Sequence, residues 1–225
     1  MPKYHPPFSI SETVLDLVAG ISELLGRYSA QHQDGLSPQL RRGNRIQTIQ
    51  ASLAIEHNTL TVEQVTAVLA GKRVMGLPRE IQEVRNAFTA YESIPNLNPS
   101  KLQDLLQAHQ MLMFGLTDEA GQWRNSGVDV YKDKQLVHMP PPASQVPRLM
   151  TDLMDWLATS RVHPLIQSCV FHYEFVFIHP FSDGNGRMGR LWQTLILANW
   201  REQMAYLPVE SIIRDQQKQY YLALH

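Results

Sequence analysis

Apolar residues recur three and four apart through almost the whole chain, and strict alternation occurs in one short stretch only. Such a period lays a stripe along one face of a helix, so the apolar surface has to be buried helix against helix. In Ser11–Tyr28 the set Val14, Leu17, Val18, Ile21, Leu24, Leu25 and Tyr28 forms that stripe, behind Ser11 as N-cap. The spacing predicts further helices over Pro38–Glu56, with proline in the first turn, and over Thr61–Ala70, Arg79–Tyr91 and Ser100–Phe114, parted by Gly- and Pro-bearing turns. Val146–Ala158 and His163–Ile178 continue the pattern, and Met188–Trp200, apolar nearly all round, is predicted to be a buried central helix. A last helix, Glu210–Leu224, meets no stop signal, so the native chain is expected to continue beyond His225. The exception to the helical period lies within Trp123–Met139, where Val128, Val130 and Leu136 flank a polar tip, Lys132–Gln135, and read as a hairpin ended by Pro140, Pro141 and Pro142. The fold class expected is all-α with one short β-hairpin.

At 225 residues and 44% hydrophobic content, one compact domain is expected. A formal net charge of -1 leaves no basic footprint for general binding to nucleic acid or to a membrane surface, so any anion site is local. The single cysteine, Cys169, excludes an intrachain disulfide and fits a reducing compartment. Neither a leader pattern nor a run of 18 apolar residues occurs, which points to the cytoplasm.

Chemistry-bearing residues crowd into His179–Arg190, HPFSDGNGRMGR. His179 can take a proton near neutral pH, and Asp183 can hold a hard divalent cation. Gly184 and Gly186 let main-chain N–H groups approach an anion, while Arg187 and Arg190, at i and i+3 on one helix face, can grip phosphate oxygens. A helix that starts here adds free N–H groups and the positive end of its dipole. Gly184, Gly186 and Gly189 also fit G-x-G-x-x-G, but a dinucleotide fold needs a buried strand before that pattern, and the preceding residues have helical spacing.

HPFSDGNGRMGR resembles the signature of Fic-domain proteins, H-x-F-x-D-G-N-G-R-x-x-R, at every fixed position. The likeness runs from about Ile10 to Tyr221 and takes in AGQWRN, the hairpin, the proline run before VPRLM, and YYLAL. It implies a helical bundle around the motif helix with a hairpin flap, and transfer of AMP from ATP to a Ser, Thr or Tyr hydroxyl of a target protein. Residues 1–95 would carry an inhibitory motif and residues 96–225 the catalytic core, packed together. In that reading His179 is the general base, Phe181 fixes the loop from beneath, and Asp183 holds Mg²⁺ shared with the phosphates. Asn185 and the N–H groups from Gly184 to Arg187, Gly186 included, cradle phosphate oxygens; Arg187 neutralises the leaving pyrophosphate and Arg190 orients the γ-phosphate. Along the flap, Val128, Asp129, Val130 and Tyr131 would line the nucleotide and the target segment, and Tyr220 and Tyr221 match a tyrosine pair near the nucleoside, one of the two expected in the core. A homo-oligomer is left open.

The second predicted helix ends SLAIEHN, with Ser52 and Glu56 four apart on one face and a carboxylate at the negative end of the helix, where it calls for a cation. The segment is similar to the Fic inhibitory motif, (S/T)-x-x-x-E-(G/N), except that His57 stands where Gly or Asn is usual. The resemblance implies that Glu56 pairs with Arg190 and blocks the productive γ-phosphate pose. Two other readings stay open: the same site run as a deadenylylating hydrolase, and an interaction module with a nucleotide pocket. His172 and Cys169 lack further metal ligands at suitable spacing and read as helix-packing residues. Trp123, Trp156, Trp192 and Trp200 read as core aromatics, and the pairs Arg41-Arg42 and Lys72-Arg73 as solvated.

Overall fold

The helical stripes fold into ten α-helices among the residues described by the computed structural model, 4–31, 35–128, 130–132 and 135–224. In chain order they are α1 (Glu12–Gln31), α2 (Pro38–Ile55), α3 (Val62–Leu69), α4 (Pro78–Glu92) and α5 (Leu102–Met113). After the hairpin strands β1 (Val130–Lys132) and β2 (Gln135–His138) come α6 (Val146–Thr159), α7 (Pro164–Ile178), α8 (Asn185–Trp200), α9 (Val209–Asp215) and α10 (Gln217–Leu224). The fold is all-α, with that antiparallel hairpin as its extended piece. None of the described helices is long and apolar enough to cross a membrane.

Local chemistry sets the helix starts. Ser37 accepts the Leu40 N–H at 3.2 Å before Pro38, and Thr61 and Gln64 form a reciprocal capping box, at 3.3 and 2.9 Å, that opens α3. His163 accepts the Leu165 N–H at 3.2 Å ahead of Pro164 and starts α7. α8 begins three residues before the apolar run does, because Gly184, at φ 83°, caps it and draws Asn185, Gly186 and Arg187 into its first turn.

α8 is the axis of the core. Its Met188, Leu191 and Trp192 are fully buried, as are Phe171 and Phe175 of α7, Ile49 of α2, Val84 of α4 and Leu105 of α5, all in one cluster from Ile46 to Ile196. Close packing of α7 on α8 uses Gly189, where an added Cβ would stand 3.2 Å from the His172 ring. Trp192 Nε1 donates to Pro99 O at 3.0 Å, and buried Glu210 of α9 accepts from Tyr91 (3.0 Å) and Thr194 (3.1 Å), tying α4, α8 and α9 together. Tyr4 closes the other side, donating to Glu174 at 2.6 Å across 170 positions.

Several expectations need correcting. α1 has the amphipathic stripe, yet none of its residues is buried, and Leu15, Leu17 and Leu24 are 55–62% exposed. Only Val14, Val18, Leu25 and Tyr28 of the stripe reach half-burial, so periodicity located the helix but not a core face. The single last helix is two, broken at Gln216 (φ -114°, ψ 32°). No Gly or Pro marks that break; contacts across the fold do, with Arg214 donating to Gln50 at 2.8 Å and Gln217 to Ile55 O at 3.1 Å. Trp156 and Trp192 are buried, whereas Trp123 and Trp200 are half-buried, Trp200 standing edge-on to His163 at the end of α8. Cys169 lies exposed on the outer side of α7, while His172 packs inside. Arg41 is not merely solvated: it donates to Leu36 O at 3.0 Å and lies over the Tyr206 ring, whereas Arg42, Lys72 and Arg73 are exposed.

Two core histidines should make the fold acid-sensitive. Burial is the main cause that pushes His109 and His172 down from 6.5 to about 4. Both are neutral when folded, so the unfolded chain binds protons the folded one refuses as pH drops through 6.5 toward 4. Their stabilisation is complete above that window and is lost going down it, by at most ~1.4 kcal/mol per pH unit for each imidazole. The urea midpoint is therefore expected to fall between pH about 7 and about 4.5, and more weakly in a His172→Gln variant. A midpoint flat over that range would show that neither ring titrates abnormally.

Candidate active site

α7 stops at His179, whose backbone is left-handed (φ 51°, ψ 61°) and whose N–H still reaches Phe175 O at 3.0 Å. Pro180 prevents further helix. Phe181 then dives into the core, fully buried and stacked flat on His109, with centroids 3.5 Å apart, and against Trp123 at 5.1 Å. His109 accepts the Gly121 N–H on Nδ1 at 2.9 Å, which leaves Nε2–H to donate to Asp183 O at 3.0 Å. Its neutral state, enforced by burial, is thus what lets it hold two loops at once. Asn185 closes the turn by accepting the Phe181 N–H (2.9 Å) and donating to Phe181 O (2.8 Å). Both ends of its amide are used inside the loop, so Asn185 can face an anion with its main-chain N–H and not with its side chain. At Gly184 an added Cβ would come within 2.7 Å of Met113 Sδ, so the left-handed cap is closed to other residues on two counts.

Buried Arg124 fastens this turn. Its guanidinium donates to His179 O (2.7 Å), Ile178 O (3.3 Å), Ser126 O (3.0 Å) and Pro141 O (2.5 Å), and its N–H donates to Pro180 O (3.0 Å). Two of those carbonyls are at the negative end of α7, and the others bracket the hairpin. The hairpin pairs Tyr131 with Leu136, with an irregularity after Val130, and His138 Nε2 meets Phe177 O at 2.7 Å. Val128 is half-buried before β1, Val130 and Tyr131 are in β1, and Asp129 lies outside the described residues.

Arg190 is buried to 1% exposure on α8. Nε donates to Ser52 Oγ at 3.0 Å, and Nη2 donates to Ser52 O at 2.9 Å and to Glu56 at 2.8 Å. Burial is the largest influence and works against the charged form, but the charge and hydrogen bond of Glu56, together with nearby Tyr220 and Tyr91, outweigh it and hold the guanidinium above its ordinary range. α2 delivers the carboxylate through its C-terminal turn. His57 N–H bonds to Ala54 O (3.0 Å), Asn58 N–H to Leu53 O (3.1 Å), and His57 takes φ 69°, which makes a Schellman cap. The left-handed residue of that cap is where Gly or Asn is favoured, and histidine adopts it here. Glu56 also needs Gly186, since a Cβ there would collide with Glu56 Oε1.

Arg187, 6% exposed, donates to Asp183 Oδ1 at 3.1 Å and to Glu83 of α4 at 3.4 Å; its Nε is buried without a partner. Asp183, 46% exposed, is also held by Arg79 at 3.2 Å and by the Gly184 N–H at 2.6 Å. Among the described residues, no group of three or more His, Cys, Asp and Glu side chains converges on a metal position. One half-exposed carboxylate fits Mg²⁺ when phosphate and water complete the shell, which is the usual state of that ion. The unsatisfied Arg187 Nε and the first N–H groups of α8 supply the donors a phosphate needs.

His179 is pushed down to about 4, chiefly by burial, so it is a neutral imidazole at pH 7 and can accept a proton. Tyr220 OH and His172 Nε2 share a hydrogen bond of 2.7 Å, and the Tyr220 and Tyr221 rings are 5.3 Å apart. Both tyrosines are half-buried, so neither is a core residue of the expected kind. The loop, Ser52 and Glu56 thus come together, with α10 bearing the tyrosines against the end of α2. Sequence reasoning missed Arg79, Glu83, His109 and the role of Arg124. Arg79 and Glu83 are an i,i+4 pair of opposite charge, a pattern that usually marks a solvated helix face.

The Fic/DOC family model matches residues 99–197. A solved Fic family protein from Desulfovibrio desulfuricans G20 superposes with TM-score 0.95 at 61% identity over 98% of this chain and 68% of that one. Fic-1 from C. elegans (residues 134–508) superposes with TM-score 0.68 at 26% identity, covering 95% of this chain and 66% of that one. Among curated proteins, protein adenylyltransferase fic-1 of Caenorhabditis briggsae is 32% identical over 189 residues, 77% of this chain and 35% of its own length. The chain therefore spans about a third of the length of the curated relatives it matches. Its loop geometry, its superposition and its identity to the D. desulfuricans protein agree, and the chain belongs to the Fic family.

Proposed function

We propose that this chain is a protein adenylyltransferase that moves AMP from ATP to a hydroxyl of a target protein, and that Glu56 holds it inactive. The observation that carries the reading is the pairing of buried Arg190 with Glu56 at 2.8 Å, set beside a helix N-terminus and a neutral histidine. Similarity to proteins named adenylyltransferases supports the chemistry. In the reaction the target hydroxyl gives its proton to the His179 imidazole and its oxygen bonds to the α-phosphorus. The bond from that phosphorus to the bridging oxygen breaks, and pyrophosphate leaves. Main-chain N–H groups of Asn185, Gly186 and Arg187 face the phosphate oxygens, and the two arginines meet the departing charge. Asp183 would hold Mg²⁺, which neutralises the phosphates. The hairpin, latched by His138 and Arg124, would register an extended target segment by main-chain pairing.

Removing Glu56 tests the brake. A charge-assisted bond of this kind is worth ~1.5–3 kcal/mol, so Glu56→Gly is expected to raise AMP transfer, self-modification included, by about 10- to 100-fold. Labelling of lysate with radioactive ATP reads this out, and a folded variant no more active than wild type would refute autoinhibition. Following free AMP after the label is chased separates transfer from removal.

In the Glu56→Gly background, His179→Ala should keep ATP affinity within about threefold and lose roughly 10²- to 10⁴-fold in transfer rate. The pH profile of kcat/KM provides a second check. With the free imidazole near 4, and lower still once the Glu56 charge is gone, the rate should stay level as pH drops from 8 to about 5. An acid limb centred near 6.5 would mean that the base is an ordinary exposed histidine.

A further inference from the structure

Four charges beside the loop form a closed ring of alternating sign. Arg79 Nη2 meets Asp183 Oδ2 at 3.2 Å, Asp183 Oδ1 meets Arg187 Nη2 at 3.1 Å, Arg187 Nη1 meets Glu83 Oε1 at 3.4 Å, and the same oxygen meets Arg79 Nε at 3.5 Å. The inner half is fixed. Arg187 and Glu83 are 6% and 12% exposed, and Asn58, the residue after the Glu56 turn, donates to Glu83 at 2.8 Å. Arg79 and Asp183 make the outer half, at 56% and 46% exposure.

Each oxygen of Asp183 thus already has a guanidinium against it. A divalent cation that takes one of them competes with a like charge, so one arginine has to yield. Arg187 is locked from two sides, whereas Arg79 is on an exposed stem and keeps Glu83 when it lets go. Once Asp183 turns to a metal, the Arg79 guanidinium keeps Glu83 on Nε and has Nη2 free at the rim of the phosphate site. A planar fork so placed pairs with phosphate oxygens.

We propose that Arg79, outside the family loop, guards Asp183 while the site is empty and passes to the polyphosphate of an incoming nucleotide, serving as a third phosphate-binding arginine. This rests on the nucleotide reading given above. The rival is an ordinary exposed ion pair, whose removal changes little.

The two roles give effects of opposite sign on binding, with no turnover required. Mn²⁺ alone, titrated by electron paramagnetic resonance, should bind Arg79→Ala about three- to tenfold more tightly than wild type, because the competing cation is gone. ATP with Mg²⁺, titrated by calorimetry in the Glu56→Gly background, should bind Arg79→Ala about tenfold more weakly, with Arg79→Lys recovering part of that loss. Unchanged affinity for both ligands would reduce Arg79 to a solvated pair and overturn the proposal. Weaker binding of both, or no gain from lysine in a protein with wild-type thermal unfolding, would overturn it as well. If Glu56→Gly protein with Arg79 intact binds no ATP, the nucleotide reading itself falls, a result distinct from equal binding by the two proteins.

Discussion

A guanidinium buried to 1% exposure is the constraint around which this molecule is arranged. Arg190 cannot shed its charge, and leaving it unpaired in the core would cost several kcal/mol. No acid on α8 answers it: the helix reads NGRMGRLWQTLILANW. The partner therefore has to come from elsewhere in the chain, and α2 supplies it from 134 positions away with Ser52 and Glu56. Much of the fold follows from that meeting. α2 must end above the first turn of α8, its last turn must be capped so that residue 56 points inward, and residue 186 must lack a side chain. The negative end of α2 adds its own partial charge and gives Arg190 the Ser52 carbonyl at 2.9 Å.

Backbone strain marks the same two ends. Among the described residues the non-glycine residues with positive φ are His57 and His179, at 69° and 51°. His179 follows α7 directly, whereas His57 follows Glu56, the residue that caps α2. A left-handed residue turns the chain sharply without another helical step, which keeps a carboxylate and an imidazole close to helices that hold them firmly. For His57 the Schellman bonds compensate; for His179 the four carbonyl bonds of Arg124 do. The Gly or Asn that usually follows the glutamate in the motif this segment resembles has its physical reason in that dihedral.

Period and clustering made much of this legible in the sequence. Helical spacing located the helices, because burying a stripe leaves a trace in every turn, and His179–Arg190 stood out because its residue types have no shared structural use. What stayed hidden was set by contacts across the chain. The α1 stripe looks like those of α2 and α6, yet among the described residues none of its side chains is more than half-buried. The break at Gln216 has no local breaker, and His109 looks like any helix residue until Phe181 lies on it. Arg79 and Glu83 gave the opposite difficulty: a surface pattern by spacing, they face the loop because Asn58 and Arg187 are there to receive Glu83.

The electrostatics of the site bear on how any anion enters it. Arg79, Arg187 and Arg190 face Asp183, Glu83 and Glu56, three charges of each sign, so the cations around the loop are already neutralised. A polyphosphate cannot simply add to this arrangement, because each new contact replaces a carboxylate that then needs water or a cation of its own. Affinity is then a small difference between two large pairings, and it is sensitive to whichever acid is easiest to displace. Glu83, 12% exposed and held by Asn58, has nowhere to go, whereas Glu56 is 35% exposed and tethered at a helix end. The fold that needs an acid to bury Arg190 has therefore met that need with the more exposed of the two glutamates, and under the proposed function a stability requirement would double as a brake.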